Sequence, residues 1–278
     1  MNNLLDTPII GIDRGATFTD FGVIDAGGLT RTMSVETRDW QAIGETYEKL
    51  HARYQTDHIV FSGSAAGMPK AMKKRVRIIA EIDAIGFGGA ALADNRECIV
   101  VSMGTGTAIV HFANNSARHV GGTGVGGGTI TGLCSLICNQ QEPSRIEALA
   151  LEGNHCMLNL TIADLGYEGL SFLGSDMTAS NFAALKSRKT EDLAAAVLDL
   201  VGETVGIIAS ICARESNCPD RIVMVGKVAG NRFIRNILKL VGQLYQTTFI
   251  FPDNPGYATV YGAALKYHYD LEKSVAEK

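Results

Sequence analysis

Val120-Gly-Gly-Thr-Gly-Val-Gly-Gly-Gly-Thr-Ile-Thr-Gly-Leu133 decides the fold: six of its first nine residues are glycine, and an apolar segment follows. Glycine allows backbone conformations with positive φ and lets a ligand approach the main chain closely. A glycine turn that opens into a helix presents unpaired N–H groups and the positive end of the helix dipole to an anion. The stretch therefore predicts a nucleotide-phosphate loop that includes Gly126, Gly127 and Gly128; a flexible turn is the alternative.

Two further Gly/Thr turns lie upstream, each at the end of a predicted strand. The apolar run 9–12 leads into the turn Asp13-Arg-Gly-Ala-Thr17, and a return strand follows over 18–24. The same plan is repeated over 98–112, with Gly104-Thr-Gly106 as the turn. Two such halves facing each other aim both turns at one phosphate chain. We therefore expect an α/β protein with a nucleotide in a cleft between two lobes.

Periodicity elsewhere fits this architecture. Apolar runs predict further strands over 31–35, 58–61, 222–225 and 248–251. Helical spacing predicts helices over 40–54, 78–92, 129–138, 144–152, 178–185, 190–214, 231–245 and 257–269. No long linker interrupts these elements, so we expect an N-terminal lobe over 1–95 and a C-terminal lobe over 96–278.

The bulk composition limits what the protein binds. With 278 residues, of which 46% are hydrophobic and 19% charged, the chain can form one large or two medium domains. A net charge of −4 disfavours nucleic-acid binding, and no apolar run reaches the ~18 residues of a membrane span. Residues 1–6 lack the features of a signal peptide, and the six cysteines show no zinc-ligand spacing. We expect a cytoplasmic protein with reduced thiols, no nucleic-acid partner and no membrane.

The turns resemble the two phosphate motifs of the actin/Hsp70/sugar-kinase superfamily. Within it, the whole chain resembles the type II pantothenate kinases. The segments that carry these resemblances are Gly11-Ile-Asp-Arg-Gly-Ala-Thr17, Glu81-Ile-Asp-Ala84, Ser102-Met-Gly-Thr-Gly-Thr107, the 120–133 stretch, Asp176-Met-Thr-Ala-Ser-Asn-Phe182, Ala213-Arg-Glu215, Val225-Gly226 and Gly262-Ala-Ala264. The two phosphate motifs alone are weak evidence, whereas the full set is specific.

The resemblance implies a two-lobed, actin-like ATPase fold, which is ribonuclease H-like, with mixed sheets. It also implies a homodimer that uses ATP and Mg²⁺ to phosphorylate pantothenate, the first step toward coenzyme A. Family members keep a glutamate as the general base, and Glu81 occupies that place. A carboxylate within hydrogen-bond reach can take the proton of a primary hydroxyl as the γ-phosphate transfers. Judged without the resemblance, Glu81 is an exposed residue at a helix start, where the dipole favours negative charge.

Further candidates come from the turns. Asp13 ends a buried strand, where it can orient Mg²⁺ through water; an ordinary turn aspartate is the alternative. Lys227 falls where the family has its adenosine-contacting turn, and a solvated lysine is an equal explanation. The remaining phosphate-binding candidates, all glycine or threonine of the two motifs, are Gly15, Thr17, Gly104, Thr105 and Gly106.

The first motif departs from the family pattern. Ala16 replaces its second glycine, and Asp20 stands where similar bacterial members place a lysine aimed at the phosphates. A carboxylate at that position repels ATP unless Mg²⁺ or a basic neighbour compensates. Arg14 and the basic run 73–77 are the candidates for that charge, although such a run is commonly a solvated face.

The substrate side departs as well. His119 stands where the family has an arginine that helps to bind the acid substrate, and Arg118 precedes it. Because successive strand residues face opposite ways, we expect Arg118 to point away from the side that His119 faces. Both stay candidates for substrate binding.

Three functions are therefore compatible with the sequence. The first is a kinase that phosphorylates pantothenate or a relative such as pantetheine. The second is a sensor that binds ATP or an acyl-CoA without phosphate transfer, which the changes at Asp20 and His119 favour. The third is an ATPase whose acceptor is water or a partner protein.

Overall fold

The computed structural model describes residues 7–68, 70–170, 173–175 and 177–276, and within them lie two five-stranded sheets. The first sheet contains β1 (Ile9–Arg14), β2 (Phe18–Asp25), β3 (Gly28–Glu36), β4 (Ile59–Gly63) and β5 (Arg77–Ile78). The second contains β6 (Glu97–Met103), β7 (Thr107–Ala113), β8 (Ser116–Thr123), β13 (Ile222–Val225) and β14 (Phe249–Ile250). Short strands form two further pairs, β9 (Leu160–Thr161) with β12 (Thr178–Ser180) and β10 (Gly169–Leu170) with β11 (Leu173–Gly174).

The two five-stranded sheets share one topology. Their strand orders are β3-β2-β1-β4-β5 and β8-β7-β6-β13-β14. In each, three consecutive antiparallel strands are extended by two strands that run parallel to the first of the three. The repetition predicted from the two hairpins is confirmed, and it extends to the strands that follow them.

Helices cover and join these sheets. They are α1 (Trp40–Tyr54), α2 (Lys70–Lys73), α3 (Glu81–Leu92), α4 (Gly127–Cys138), α5 (Pro143–Glu152), α6 (Thr190–Glu215), α7 (Arg232–Tyr245) and α8 (Ala258–Ala276). The bounds of α1 match the prediction, because Asp39 caps its start by accepting a hydrogen bond from the Ala42 N–H at 2.9 Å. The predicted helix over 78–92 begins later, after the short strand β5.

The helix predicted over 178–185 is wrong. The segment begins with β12 and continues without regular structure. Side-chain hydrogen bonds hold it: Thr178 donates to Asp199 at 3.3 Å, and Asn159 accepts from the Phe182 N–H at 2.9 Å. Such bonds give the backbone an alternative to helical pairing. Asp176, which belongs to the same sequence motif, lies outside the described residues.

The long helix α6 forms the core of the second lobe. Its 26 residues are long and apolar enough to cross a membrane, but 61% of its apolar window is buried inside the protein. Val197, Val201 and Val205 on this helix pack in one cluster with Ile99 of β6 and Ile234 of α7. This burial explains the apolar composition of α6 as that of a core helix.

Helices α3 and α8 cross between the two sheets. At the crossing, a Cβ on Gly88 would collide with the Ala258 carbonyl oxygen, and one on Gly262 with the Ala84 carbonyl oxygen. Phe87 of α3 faces the second sheet, while Val260 of α8 packs against the first. The two glycines therefore allow close backbone contact in the helix pair that joins the lobes.

Candidate functional site

The turns singled out by the sequence lie at the carboxyl ends of central strands. Asp13 lies near the end of β1, Gly104 follows β6, and Gly226 with Lys227 follows β13. Ligands of α/β sheets bind outside the carboxyl ends of the strands. A contact between Lys227 of the second lobe and Asp20 of the first shows that these ends face one cleft.

The second turn and the glycine stretch form one packed unit. Gly127 N–H donates to the Gly104 carbonyl, and Gly128 N–H donates to the Thr105 carbonyl, both at 2.8 Å. A Cβ on Gly126 would lie 2.8 Å from the backbone of Gly106. The glycines are therefore required for close approach of two chain segments.

The N–H groups at the start of α4 are more fully paired than the glycine-rich sequence predicts. Those of Gly127 and Gly128 are bound to the neighbouring turn. The Thr107 hydroxyl also donates within the unit, to the Val125 carbonyl at 2.8 Å. In addition, the first four residues of the 120–133 stretch belong to strand β8.

The first turn is more open. Gly15 and Thr17 are exposed, and Gly15 N–H closes the turn by donating to the Phe18 carbonyl at 3.0 Å. Thr37 supports it from the end of β3, because its hydroxyl donates to the Gly15 carbonyl at 2.8 Å. Its N–H donates to the Thr17 carbonyl at 3.0 Å. The Thr17 side chain is thus exposed beside a turn that backbone and Thr37 hydrogen bonds hold.

Three carboxylates converge on the cleft. Burial, followed by the negative charges of Glu81 and Asp20, raises the pKa of Asp13 to about 7. The positive charge of Lys227 and a hydrogen bond from Thr259, at the start of α8, act in the opposite direction. Glu81 is the exposed first residue of α3. The concentration of negative charge around Asp13 suits a divalent cation with oxygen ligands.

Lys227 closes the cleft from the other lobe. Its ammonium lies 2.9 Å from the Asp20 carboxylate, 3.3 Å from the Ser34 hydroxyl and 4.0 Å from the centre of the Phe18 ring. Ser34 donates to Asp20 and lies 3.3 Å from the Tyr257 hydroxyl. One oxygen of the nearly buried Asp20 carboxylate, Oδ1, therefore contacts both a cation and a hydroxyl.

The two cation sources considered from the sequence are engaged elsewhere. The Arg14 guanidinium lies over the Trp40 ring at 4.6 Å and donates to the Ser64 carbonyl at 3.1 Å. The charged side chains of the run 73–77 are exposed, and Arg75 lies 4.0 Å from Glu48. Lys227 is therefore the residue whose charge balances Asp20.

The strand register places Arg118 and His119 on opposite faces of the second sheet. Arg118 pairs with His111 of β7, and Ala117 pairs with Phe112. Phe112 contacts Phe87 of α3 at 5.0 Å between ring centres, so Ala117 and the next residue but one, His119, share the face that α3 covers. Arg118 lies on the opposite face. His119 is thus on the side of the sheet that α3, the helix of Glu81, covers.

Sequence reasoning missed Ser34, Tyr257 and Thr259. Ser34 lies on β3, and the other two lie where α8 begins, far along the chain from the motifs they support. Single hydroxyl residues carry no spacing signal, so only the folded arrangement identifies them.

Two similar lobes with glycine turns at the carboxyl ends of their first strands define a two-lobed, actin-like ATPase fold. Solved structures of this class superpose on the chain. The activator of 2-hydroxyisocaproyl-CoA dehydratase from Clostridium difficile, with bound ADPNP, has a TM-score of 0.65, 16% identity and 98% coverage of both chains. A ROK-family glucokinase from Streptomyces griseus, in complex with glucose and AMPPNP, has a TM-score of 0.60 and 14% identity, covering 92% of this chain and 98% of its own.

The Fumble family matches residues 93–266, and the chain belongs to that family. A type II pantothenate kinase of Oceanobacillus iheyensis is 26% identical over 267 residues, which are 92% of this chain and 98% of that protein. A type II pantothenate kinase of Bacillus cereus is 33% identical over 177 residues, which are 62% of this chain and 64% of that protein. The resemblance found in the sequence is confirmed.

Proposed function

We propose that this protein transfers the γ-phosphate of ATP to a hydroxyl group of pantothenate or a close relative, in coenzyme A biosynthesis. The observation that carries the proposal is the grouping of Asp13 and Glu81 at a cleft lined by glycine turns. Membership of the Fumble family and similarity to type II pantothenate kinases support it. Phosphoryl transfer relies mainly on positioning and charge stabilisation, which such a cleft supplies.

In this proposal Glu81 is the general base. It is exposed at the mouth of the cleft, so an acceptor hydroxyl can reach it. Asp13 would hold Mg²⁺, a role that fits its negative surroundings. When bound, Mg²⁺ supplies positive charge to the phosphates. The phosphate-binding surface would come from the three turns, namely Gly15, Thr17, Gly104, Thr105, Gly106, Gly126, Gly127 and Gly128. Gly127 and Gly128 would contribute by holding the Gly104 turn in place, because their N–H groups are bound to it.

Lys227 would influence nucleotide binding, and His119 would influence the choice of acceptor. Lys227 would contact the nucleotide, in competition with its contact to Asp20. His119 would contact the carboxylate of the acceptor, because Arg118, the other candidate from the sequence, lies on the opposite face of the sheet. Imidazole is mostly neutral above about pH 6.5, so a histidine is a weaker carboxylate partner than an arginine.

The sensor function is favoured by one observation. The Lys227 ammonium is bound to Asp20, so a cation at the cleft is already neutralised before a nucleotide arrives. A protein of this kind would bind ATP or an acyl-CoA and would not transfer phosphate.

We also propose a lobe boundary, a dimer and a location. The lobes would divide near residue 95, because the first sheet ends at Ile78 and the second begins at Glu97. Helix α8, from the end of the chain, packs on the first sheet. A homodimer is supported by large apolar side chains exposed on neighbouring helices, Leu136 of α4 (82% exposed) and Ile211 of α6 (56%). A cytoplasmic location is supported by the six cysteines, none of which forms a disulfide within the described residues.

An ADP-release assay with pantothenate, pantetheine, sugars and other small hydroxyl compounds tests the function. We expect release that depends on pantothenate or pantetheine. Release without any acceptor would indicate the ATPase, and nucleotide binding without turnover would indicate the sensor. Light scattering at micromolar concentration tests the dimer, which a monomeric mass would exclude.

A further inference from the structure

Three side chains of metal-ligand type meet at the end of the second sheet that lies away from the cleft. Glu97 begins β6, His111 lies on β7, and Cys218 lies in the turn between α6 and β13. The His111 Nε2 atom lies 3.9 Å from the Glu97 Oε1 atom and 3.9 Å from the Cys218 Sγ atom. We propose that these three residues form a Zn²⁺ site.

The separations are close to those that zinc imposes. The three candidate ligand atoms lie within 4.8 Å of one another. In a tetrahedral site with Zn–N and Zn–O near 2.0–2.1 Å and Zn–S near 2.3 Å, ligand atoms are roughly 3.3–3.6 Å apart. The two distances of 3.9 Å therefore need to shorten by about 0.3–0.6 Å, and the third distance by at most about 1.2 Å. Glu97 is exposed, so there is room for its side chain to make that adjustment.

Arg221 completes the arrangement around Glu97. Its guanidinium lies 3.3 Å from Oε2 of Glu97 and also donates to the Glu97 carbonyl at 3.2 Å. It therefore holds one carboxylate oxygen and leaves Oε1, which faces His111, for the metal. Partners that fix a ligating carboxylate in this way tune metal sites.

The donor set identifies the metal. One soft thiolate, one imidazole and one hard carboxylate form a mixed donor set that suits the borderline ion Zn²⁺, with water in the fourth position. Burial raises the pKa of the Cys218 thiol, so the metal must displace its proton to solvent. Cys218 is buried, so a metal ion would reach it from the side of the more exposed Glu97 and His111.

The site is separate from the cleft. Strand β6 runs from Glu97 to Met103 before the Gly104 turn, a distance of roughly 20 Å at about 3.3 Å per residue. The metal would tie β6 and β7 to the turn that ends α6, and so stabilise the second lobe. Because its ligands come from three distant elements, no zinc-type spacing is present in the sequence.

Metal titration of the full-length protein, freed of metal by a chelator, tests the proposal. Co²⁺ serves as the spectroscopic probe, since tetrahedral Co²⁺ with a thiolate ligand shows both visible bands and a sulfur-to-cobalt charge-transfer band. We expect one equivalent of Co²⁺ to produce these bands and Zn²⁺ to abolish them. Zn²⁺ should also raise the melting temperature of the wild type.

Variants assign the ligands. Cys218→Ser should remove the charge-transfer band and weaken Zn²⁺ binding by about 100-fold or more, and Glu97→Gln should weaken it by roughly tenfold. Cys138→Ser, a half-buried thiol on α4, is the matched control and should keep wild-type binding. If Cys218→Ser does not fold, the more exposed Glu97→Gln decides the question. Absence of the band in the wild type, or unchanged Zn²⁺ affinity in Glu97→Gln, overturns the proposal.

Discussion

The ammonium of Lys227 lies 2.9 Å from the carboxylate of Asp20 and joins the two lobes across the cleft. Asp20 is on β2 of the first lobe, and Lys227 follows β13 of the second. The resemblance to bacterial type II pantothenate kinases implies a lysine at position 20, whereas here a nearby positive charge comes from Lys227 of the opposite lobe. The cleft therefore contains a cation, Lys227, whose charge is already balanced by a carboxylate of the same protein, Asp20.

We expect Asp20→Asn to tighten ATP binding. The substitution keeps the shape of the side chain, removes the charge that repels phosphates and releases Lys227. Breaking such a contact changes binding by about 1 kcal/mol, so the ATP dissociation constant should fall roughly three- to tenfold. Isothermal titration calorimetry measures it, with Asp25→Asn at the far end of the same strand as the control.

The tighter ATP binding expected for Asp20→Asn should depend on Lys227. Adding Lys227→Met to Asp20→Asn should reverse the tighter binding, because both changes act on one pair and are not additive. Equal gains with and without Lys227 would mean that Asp20 acts on ATP directly and that the ion pair is incidental.

Replacing the proposed base separates binding from transfer. Glu81→Gln removes basicity at nearly constant shape, so ATP affinity should persist while phosphate transfer falls by about 10²–10⁴-fold. Asp83→Asn, two residues further along α3, is the control and should keep most activity. Wild-type turnover in Glu81→Gln would exclude this residue as the base.

The packing of the Gly104 turn against the start of α4 can be tested by comparing alanine substitutions at Gly127 and Gly104. A methyl group on Gly127 would lie 2.9 Å from the Gly104 carbonyl oxygen, whereas one on Gly104 has its nearest neighbour at 4.0 Å. Gly127→Ala should therefore displace the second turn and weaken ATP binding, and Gly104→Ala should have a much smaller effect. Circular dichroism establishes that both variants are folded. A folded Gly127→Ala protein with unchanged ATP affinity would refute this account of the turn.

Local patterns predicted most of the fold. The strand over 222–225 and helix α1 have the predicted bounds, because alternation, continuous apolar runs and caps act within a few residues. The helix predicted over 178–185 failed because Asp199 and Asn159, on other elements, determine that segment. Residues distant in sequence also determine part of the site. The glycine motifs and Glu81 could be found from the sequence, whereas the contact between Lys227 and Asp20 depends on how the two lobes pack.

A second acid with a raised pKa, the half-buried Glu203 of α6, gives a pH prediction. Burial and the neighbouring Asp199 raise the pKa of Glu203 to about 7, from an ordinary value of 4.5, while Thr178 and His155 oppose the shift. Asn181 also donates to this carboxylate at 3.3 Å. A carboxyl whose folded-state pKa is raised stabilises the protein fully below pH 4.5, and that contribution is lost as the pH rises to about 7.

Glu203→Gln removes this titration. The melting temperature of the variant relative to wild type should therefore increase from pH 4.5 to 7 and level off above it. Glu215→Gln at the exposed end of the same helix is the control for loss of a glutamate. A difference between Glu203→Gln and wild type that stays constant over this range would show that Glu203 titrates normally in the folded protein.

Acceptor choice should respond to residue 119. If pantothenate is the acceptor, its carboxylate needs a cationic partner, and arginine would stay charged and bind it through two hydrogen bonds. His119→Arg should therefore lower the KM for pantothenate at pH 8 with little change in kcat. Arg118→Gln is the matched control, because strand register puts that residue on the opposite face, and its KM should stay near wild type. Pantetheine, which lacks the carboxylate, should show no gain from His119→Arg. Efficient wild-type turnover of pantothenate at pH 8, with no gain from the arginine, would mean that another group holds the carboxylate and that the change at this position leaves the substrate class intact.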